Sequence, residues 1–276
     1  MGAPRSLALC HYYLGATAYF RGRFQEALAH LTAAAALYRR VGAAAGEAVS
    51  LQFLGLTETA LGRPEAGRQR MEAGVAAAEA GTMRSHTLIR LYAALARNRI
   101  DANDLAAARA YAERGLALVE QHGRCICNAS IYCVAAAALA LTGDLDRAAA
   151  LGEEALARAT DLGSPYFLCV SHQARAMIFG QRGEWAGAFA ALDEARRQAA
   201  AATLAYEFGR VLLLRAYLHL RRREAGDVRA ATALMAEALP IFRGLGAQAS
   251  AAQARSMLGF LRGQARRRAR QAPSRA

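Results

Sequence analysis

The chain has 276 residues and is 55% hydrophobic, which excludes wholesale disorder. Ala supplies 71 residues and Pro only 5, a balance that favours helix throughout; no uncharged apolar run nears the ~20 residues of a membrane span, and no basic segment followed by a sustained apolar one marks a secretory signal. The formal charge is +13 with every basic residue an Arg, and the five Cys, an odd number, point to a reducing, cytoplasmic compartment and away from a disulfide frame.

Turn signals cut the chain at regular intervals. Gly22 with Phe24, Gly62 with Pro64, Asn103 with Leu105, Gly143 with Leu145, Gly183 with Trp185 and Gly226 with Val228 are separated by steps of 40, 41, 40, 40 and 43 residues. A looser break falls between successive turns, at Gly42, Gly81, Gly123, Gly163, Thr203 and Gly246. In chain order the spacing predicts helical hairpins near 6–40, 44–80, 84–121, 125–161, 166–200 and 204–244, then a capping helix near 247–263. Residues 264–276 hold Arg266, Arg267, Arg268, Arg270 and Arg275 but no apolar periodicity, and read as a basic disordered tail. In the first hairpin Phe24, Ala27, Leu28, Leu31, Ala34 and Ala35 stand three and four apart and form one apolar stripe. One hairpin cannot bury such a stripe alone, so the hairpins must stack. The expected fold is all-α: a right-handed α-solenoid of about six hairpins with a C-terminal capping helix.

Small residues recur at fixed places in the second helix of every hairpin. They are Ala27, Gly67, Ala108, Ala148, Ala188 and Ala231, and seven positions on, Ala34, Gly74, Gly115, Ala155, Ala195 and Ala238. Helices packed at ~8–10 Å need a side chain no larger than methyl where their axes come nearest. Together with Gly15 ahead of the first turn and Ala176 ahead of the fifth, this pattern resembles the tetratricopeptide repeat. The period departs from that family's usual ~34 residues. The closing Pro is absent, Pro64 stands where an aromatic is expected, and the sixth hairpin carries extra residues around Arg221, Arg222 and Arg223. The longer period is similar to the helical arrays near the C-termini of large bacterial regulators, namely signal-transduction ATPases and helix-turn-helix transcription activators. HEAT-like repeats, with periods of ~40–47 residues, are the alternative fold.

Signs of chemistry are few. A phosphate-binding loop of the Gly-x4-Gly-Lys type needs a Lys, and the chain has none. Cys125, Cys127 and Cys133, with His122 nearby, invite a zinc reading. Cys-x-Cys at a helix start sends its thiols ~200° apart around the axis, so buried apolar Cys is the favoured reading and no metal or cofactor is expected. Cys169 and His172 share a helical face, as a Cys–His nucleophile pair would, without a visible orienting group. The chain is therefore read as non-enzymatic.

In the tetratricopeptide family the first helix of each hairpin faces the concave groove. The resemblance implies Tyr12, Tyr19, Gln52, Arg90, Arg97, Gln173, Arg210 and Tyr217 as binding positions. Arg90 and Arg97 lie two turns apart, and Arg holds carboxylates bidentately; the alternative is ordinary solvated surface. The expected partner is a protein or peptide with acidic groups, and the expected role is the sensing or partner-binding part of a bacterial regulatory system. The first hairpin begins almost at Met1 and leaves an apolar side uncapped, a face suited to docking on a second copy. The alternative function is a nucleic-acid-binding helical repeat, helped by the positive charge. The inward residues Tyr12, Gln52, Ala93, Cys133, Gln173 and Leu213 form no base-reading code, so nucleic acid is expected only at the tail and nonspecifically, and no membrane contact is expected.

Overall fold

The computed structural model describes residues 2–80, 85–122 and 128–271, with side chains placed for 3–80, 86–122 and 128–263. Among the described residues there are thirteen helices and no strand. The first six are α1 (Gly2–Phe20), α2 (Phe24–Arg40), α3 (Ala44–Ala60), α4 (Pro64–Ala80), α5 (Ser85–Asp101) and α6 (Leu105–His122). Then follow α7 (Ala129–Leu141), α8 (Leu145–Asp161), α9 (Pro165–Arg182), α10 (Trp185–Ala201), α11 (Ala205–Arg222), α12 (Asp227–Gly244) and α13 (Gln248–Gln271). Consecutive helices pair into hairpins, and the chain is a helical-repeat solenoid.

The tight turns work as the sequence suggested. Gly22 takes a φ of 74°, its N–H donates to the Tyr19 carbonyl, and the Arg23 N–H donates to the Ala18 carbonyl at 2.8 Å. That pairing satisfies carbonyls that the end of α1 would otherwise leave without partners. Asn103, with φ 59°, makes the same turn in the third hairpin, where the Asp104 N–H donates to the Arg99 carbonyl at 2.8 Å. All twelve of the recurrent small positions are buried, so close helix packing rests on them. Neighbouring hairpins are also tied by ion pairs, including Arg99–Glu65 at 2.8 Å, in which Arg99 is buried, and the more exposed Arg147–Glu113 at 2.9 Å and Arg109–Asp144 at 3.1 Å. These pairs absorb part of the Arg excess; each exposed one contributes ~0–1 kcal/mol.

α13 runs to Gln271, past the expected end at 263 and into the segment read as a disordered tail. The physical reason is intrinsic propensity. Ala, Arg and Gln are strong helix formers, and no Pro interrupts before Pro273. Residues 272–276 lie outside the described residues.

The solenoid closes on itself. Phe20 on α1 packs against Tyr166 on α9 with ring centroids 5.0 Å apart, and Phe24 on α2 meets Tyr206 on α11 edge-on at 5.2 Å. A single apolar core joins α1, α2 and α3 to α11, α12 and α13. Two turn glycines mark this seam. A Cβ on Gly22 would lie 2.8 Å from Leu245 Cδ2, and one on Gly62 would lie 3.1 Å from the Ala249 backbone nitrogen. The corresponding Gly143, Gly183 and Gly226 face nothing within 4 Å. The first two hairpins therefore touch the last helices, and the inner helices surround a lumen. Leu7, Leu9 and Leu14 on α1 remain exposed outside the seam.

Candidate functional site

The inner helices α1, α3, α5, α7 and α9 enclose a cavity of about 480 Å³. Its walls are largely aromatic, because α1 presents Tyr12, Tyr19 and Phe20 across from Phe53 on α3 and Tyr166 on α9. Phe53 is the hub: its ring centre lies 5.9 Å from Tyr12, 5.6 Å from Tyr19 and 5.7 Å from Phe20, all edge-on. Edge-to-face rings of this kind interlock through their quadrupoles and give a rigid wall. Burial first, and neighbouring charge second, pushes the Tyr19 and Tyr166 phenols up, so both stay neutral at ordinary pH.

Few polar groups face this wall. Gln52 is 6% exposed; its Nε2 donates to the Arg90 carbonyl at 3.3 Å, while its Oε1 has no hydrogen-bond partner. Ser130 Oγ is likewise without a partner, and both residues line the cavity. Arg90 lines it too, and no carboxylate among the described residues pairs with its guanidinium. The Gln52 and Ser130 oxygens are both closed to solvent as the side chains stand, so a group in the cavity reaches them only after the side chains rotate.

Arg97, two turns along α5 from Arg90, is engaged differently. Its Nη2 lies 3.2 Å from Glu207 on α11, and its Nε lies 3.6 Å from Asp101. Arg210 reaches back across the lumen to Asp101 at 2.9 Å, and Gln173 Nε2 donates to Glu207 at 3.1 Å. Burial alone would lower the Arg97 pKa, but Glu207 and Asp101 outweigh it and hold the guanidinium charged. For Arg210 burial and the Arg97 charge pull the same way, and Asp101 and Glu207 again prevail. Arg97, Cys133, Val134 and Val170 line both the large cavity and a second, 40 Å³ space beyond it. Arg97 thus borders both spaces, whereas Arg210 borders only the smaller one.

Tyr12, Tyr19, Gln52, Arg90 and Arg97 therefore meet in one cavity, and Gln173 and Arg210 line the smaller space. Tyr217 lies in neither space; it is 43% exposed, with the Arg221 guanidinium over its ring at 5.9 Å. Sequence reasoning passed over Phe20, Phe53 and Tyr166, which bring the apolar surface. The first two stand one position from residues that it did select, and a wider stripe would have included them. Glu207 stands three residues before Arg210 on the same face, which was the visible sign that Arg210 had an acid at hand.

The two buried thiols, Cys133 and Cys169, are poorly set up for reaction. Burial pushes the Cys133 thiol up to about 11 and the Cys169 thiol up to about 12. Cys169 Sγ accepts from Gln173 Nε2 at 3.3 Å, and Cys133 lies 3.1 Å from Ser171 Oγ. A thiol held neutral at pH 7 is a poor nucleophile, which argues against the Cys169–His172 reading. Burial also lowers the His172 pKa. Cys125 and Cys127 lie outside the described residues; among the described residues no cluster of three metal-ligating side chains occurs, and no helix is long and apolar enough to cross a membrane.

No protein-family model and no curated protein matches the chain. Solved structures do. The Rap conjugation gene regulator of the plasmid pLS20, in complex with the Phr* peptide, superposes with a TM-score of 0.63 at 14% identity, covering 96% of this chain and 76% of that one. A Rap protein complexed with competence and sporulation factor gives 0.62 at 14% identity, covering 92% and 74%. A putative kinesin light chain from Podospora anserina, built of nearly identical TPR-like repeats, gives 0.51 at 21% identity, covering 72% and 97%. At these identities the likeness is one of fold.

Proposed function

We propose that this chain, a helical-repeat protein of tetratricopeptide type, is a non-enzymatic scaffold that receives a protein or peptide segment in its lumen. The observation that carries the reading is the aromatic cavity with Arg90 at its wall, whose guanidinium no described carboxylate pairs. A preformed apolar hollow with a few convergent polar groups is the usual form of a binding site. The Phr* complex of the pLS20 regulator, on a similar fold, lends support to a peptide as the occupant. The finer setting, a regulatory system in the bacterial cytoplasm, rests on that same neighbour and on the resemblance to regulator arrays. The nucleic-acid alternative is less well supported, since Arg97 and Arg210 on the inner helices are already neutralised by acids of the chain.

The test is selection of binders from a displayed peptide library, followed by titration against the wild type and Val134→Trp. Val134 borders the cavity, and the larger indole fills part of it. Selected peptides should lose at least ~10-fold in affinity, since a blocked pocket forfeits the burial that drives binding. Unchanged affinity would move the binding surface elsewhere.

A further inference from the structure

We propose that the exposed face of α1 pairs two copies of this chain across a two-fold axis, with the two helices antiparallel. The inference stands apart from the lumenal reading above and needs no ligand.

The first observation is where apolar surface stays open. Leu7 is 51% exposed, Leu9 45%, Tyr13 61% and Leu14 51%. At ~100° per residue, Leu7 and Leu14 fall on one side of Cys10, and Leu9 and Tyr13 fall on the other. The shorter Ser6, Cys10 and Thr17, all exposed, run between them. Two apolar ridges thus flank a shallow groove, the shape into which a second helix packs. The same face is covered one repeat later. Forty residues on, Cys10, Leu14 and Thr17 become Ser50, Leu54 and Thr57 on α3, which are 0%, 3% and 0% exposed. There α2 packs against α3. On α1 no described helix takes that place.

The second observation is that the face matches itself. Leu7 and Leu14 are centred between residues 10 and 11, and Leu9 and Tyr13 are centred on residue 11. A two-fold axis across α1 at that level lays Leu7 on Leu14 of the second copy, and Leu9 on Tyr13 of the second copy. Each contact then occurs twice, which is the isologous pattern of a C2 interface. Charge points the same way. α1 has no acidic residue, and Arg5 is its one Arg. A partner recognised by charge finds little to hold there. The antiparallel arrangement keeps the two Arg5 side chains ~17 Å apart along the helices, beyond the screening length of ~8–10 Å. Area sets the strength. The four large side chains leave on the order of 100 Å² open apiece, so a pair of copies closes ~800 Å² with them. The residues between the ridges bring the total near ~1,200 Å², the low end of specific association. The pair is therefore reversible. Tyr13 also lines the cavity, so the interface ends at the cavity rim.

The experiment is sedimentation equilibrium of the full chain from about 1 to about 200 μM. A monomer–dimer equilibrium with a micromolar dissociation constant is expected. Because the chain carries +13, the dimer should tighten as salt rises from about 50 to about 500 mM, the opposite of an interface held by ion pairs. Leu14→Glu alters a half-exposed position, so helix circular dichroism should stay as in the wild type. It places a carboxylate against Leu7 of the second copy and should weaken the dimer at least ~10-fold. The same variant supplies the single copy for any measurement of molecular size. Leu7→Arg should weaken it likewise. An equimolar mixture of the two variants should associate again, since the new charges of opposite sign then face each other. In a Cys125→Ser/Cys127→Ser background, a short bis-maleimide should join two chains through Cys10, which is exposed and lies beside the axis, and Cys10→Ser should abolish the cross-link. A chain that stays monomeric across the range, or a dimer indifferent to both Leu14→Glu and Leu7→Arg, overturns the proposal. Failure of the mixture to associate overturns the antiparallel pairing.

Discussion

Two arginines on the same face of α5 serve different ends. Arg97 balances Glu207, which is 3% exposed, so Arg97→Ala leaves a buried carboxylate with Gln173 as its hydrogen-bond donor and only the more distant Arg210, at 3.6 Å, as its counter-charge. We expect a loss of ~3–5 kcal/mol, the usual result of removing one partner of a buried pair. Arg90→Ala, with no ion pair to break, should stay within ~0.5 kcal/mol. Urea denaturation followed by helix circular dichroism distinguishes the two. The sequence made their shared face legible, because helical periodicity is local. It did not reveal that Arg97 is taken, because its partner lies 110 positions away and reaches it only through curvature of the whole array. The aromatic cavity wall was half legible for the same reason. Tyr12 and Tyr19 follow from the period of α1, whereas the approach of Tyr166 to Phe20 depends on where the ninth helix ends up.

Helices here pack through positions that admit almost no side chain. Ala188 is fully buried on α10, and Ala188→Leu adds three carbons where two axes meet. The expected cost is ~1–3 kcal/mol from overpacking, read as a lowered midpoint in thermal unfolding. This pattern was the most legible part of the chain, since a size limit at fixed spacing shows in the residues themselves. The start of α12 adds a pH dependence. Arg222 first, then His219 at 2.6 Å and the Glu224 N–H, hold the Asp227 carboxyl well below its usual 3.8. A carboxylate depressed in the folded state stabilises above its unfolded value and ceases to do so as pH falls towards the folded one. Stability should therefore decline as pH drops below about 4. Asp227→Asn should lower the melting temperature at pH 7 and flatten that acid decline, as thermal melts across pH would record. The overrun of α13 was not legible from stripe analysis, because propensity extends it where no apolar stripe does.

Closure sets the shape of the molecule. A compact body of this length has a radius of gyration of roughly 19 Å. Small-angle scattering should return a value near that, and a markedly larger one would mean that the seam is open in solution. Gly62 and Gly143 provide a matched pair, with φ of 88° and 90°. Alanine at either position strains the turn by ~1–2 kcal/mol. Only Gly62→Ala also presses on the Ala249 backbone, so it alone should speed amide exchange in α13. Equal exchange in both variants would mean the seam tolerates the added methyl. Hairpin stacking was legible because each step repeats the last; the meeting of the ends was not, since it follows from small rotations summed over all six hairpins. That meeting bears on how the chain emerges from the ribosome. Phe24 leaves roughly 180 residues ahead of its partner Tyr206, so at ~5–20 residues per second the first hairpin waits ~10–40 s with its apolar edge bare. Any chaperone that shelters the nascent protein has its clearest target there, on a surface that the finished molecule hides.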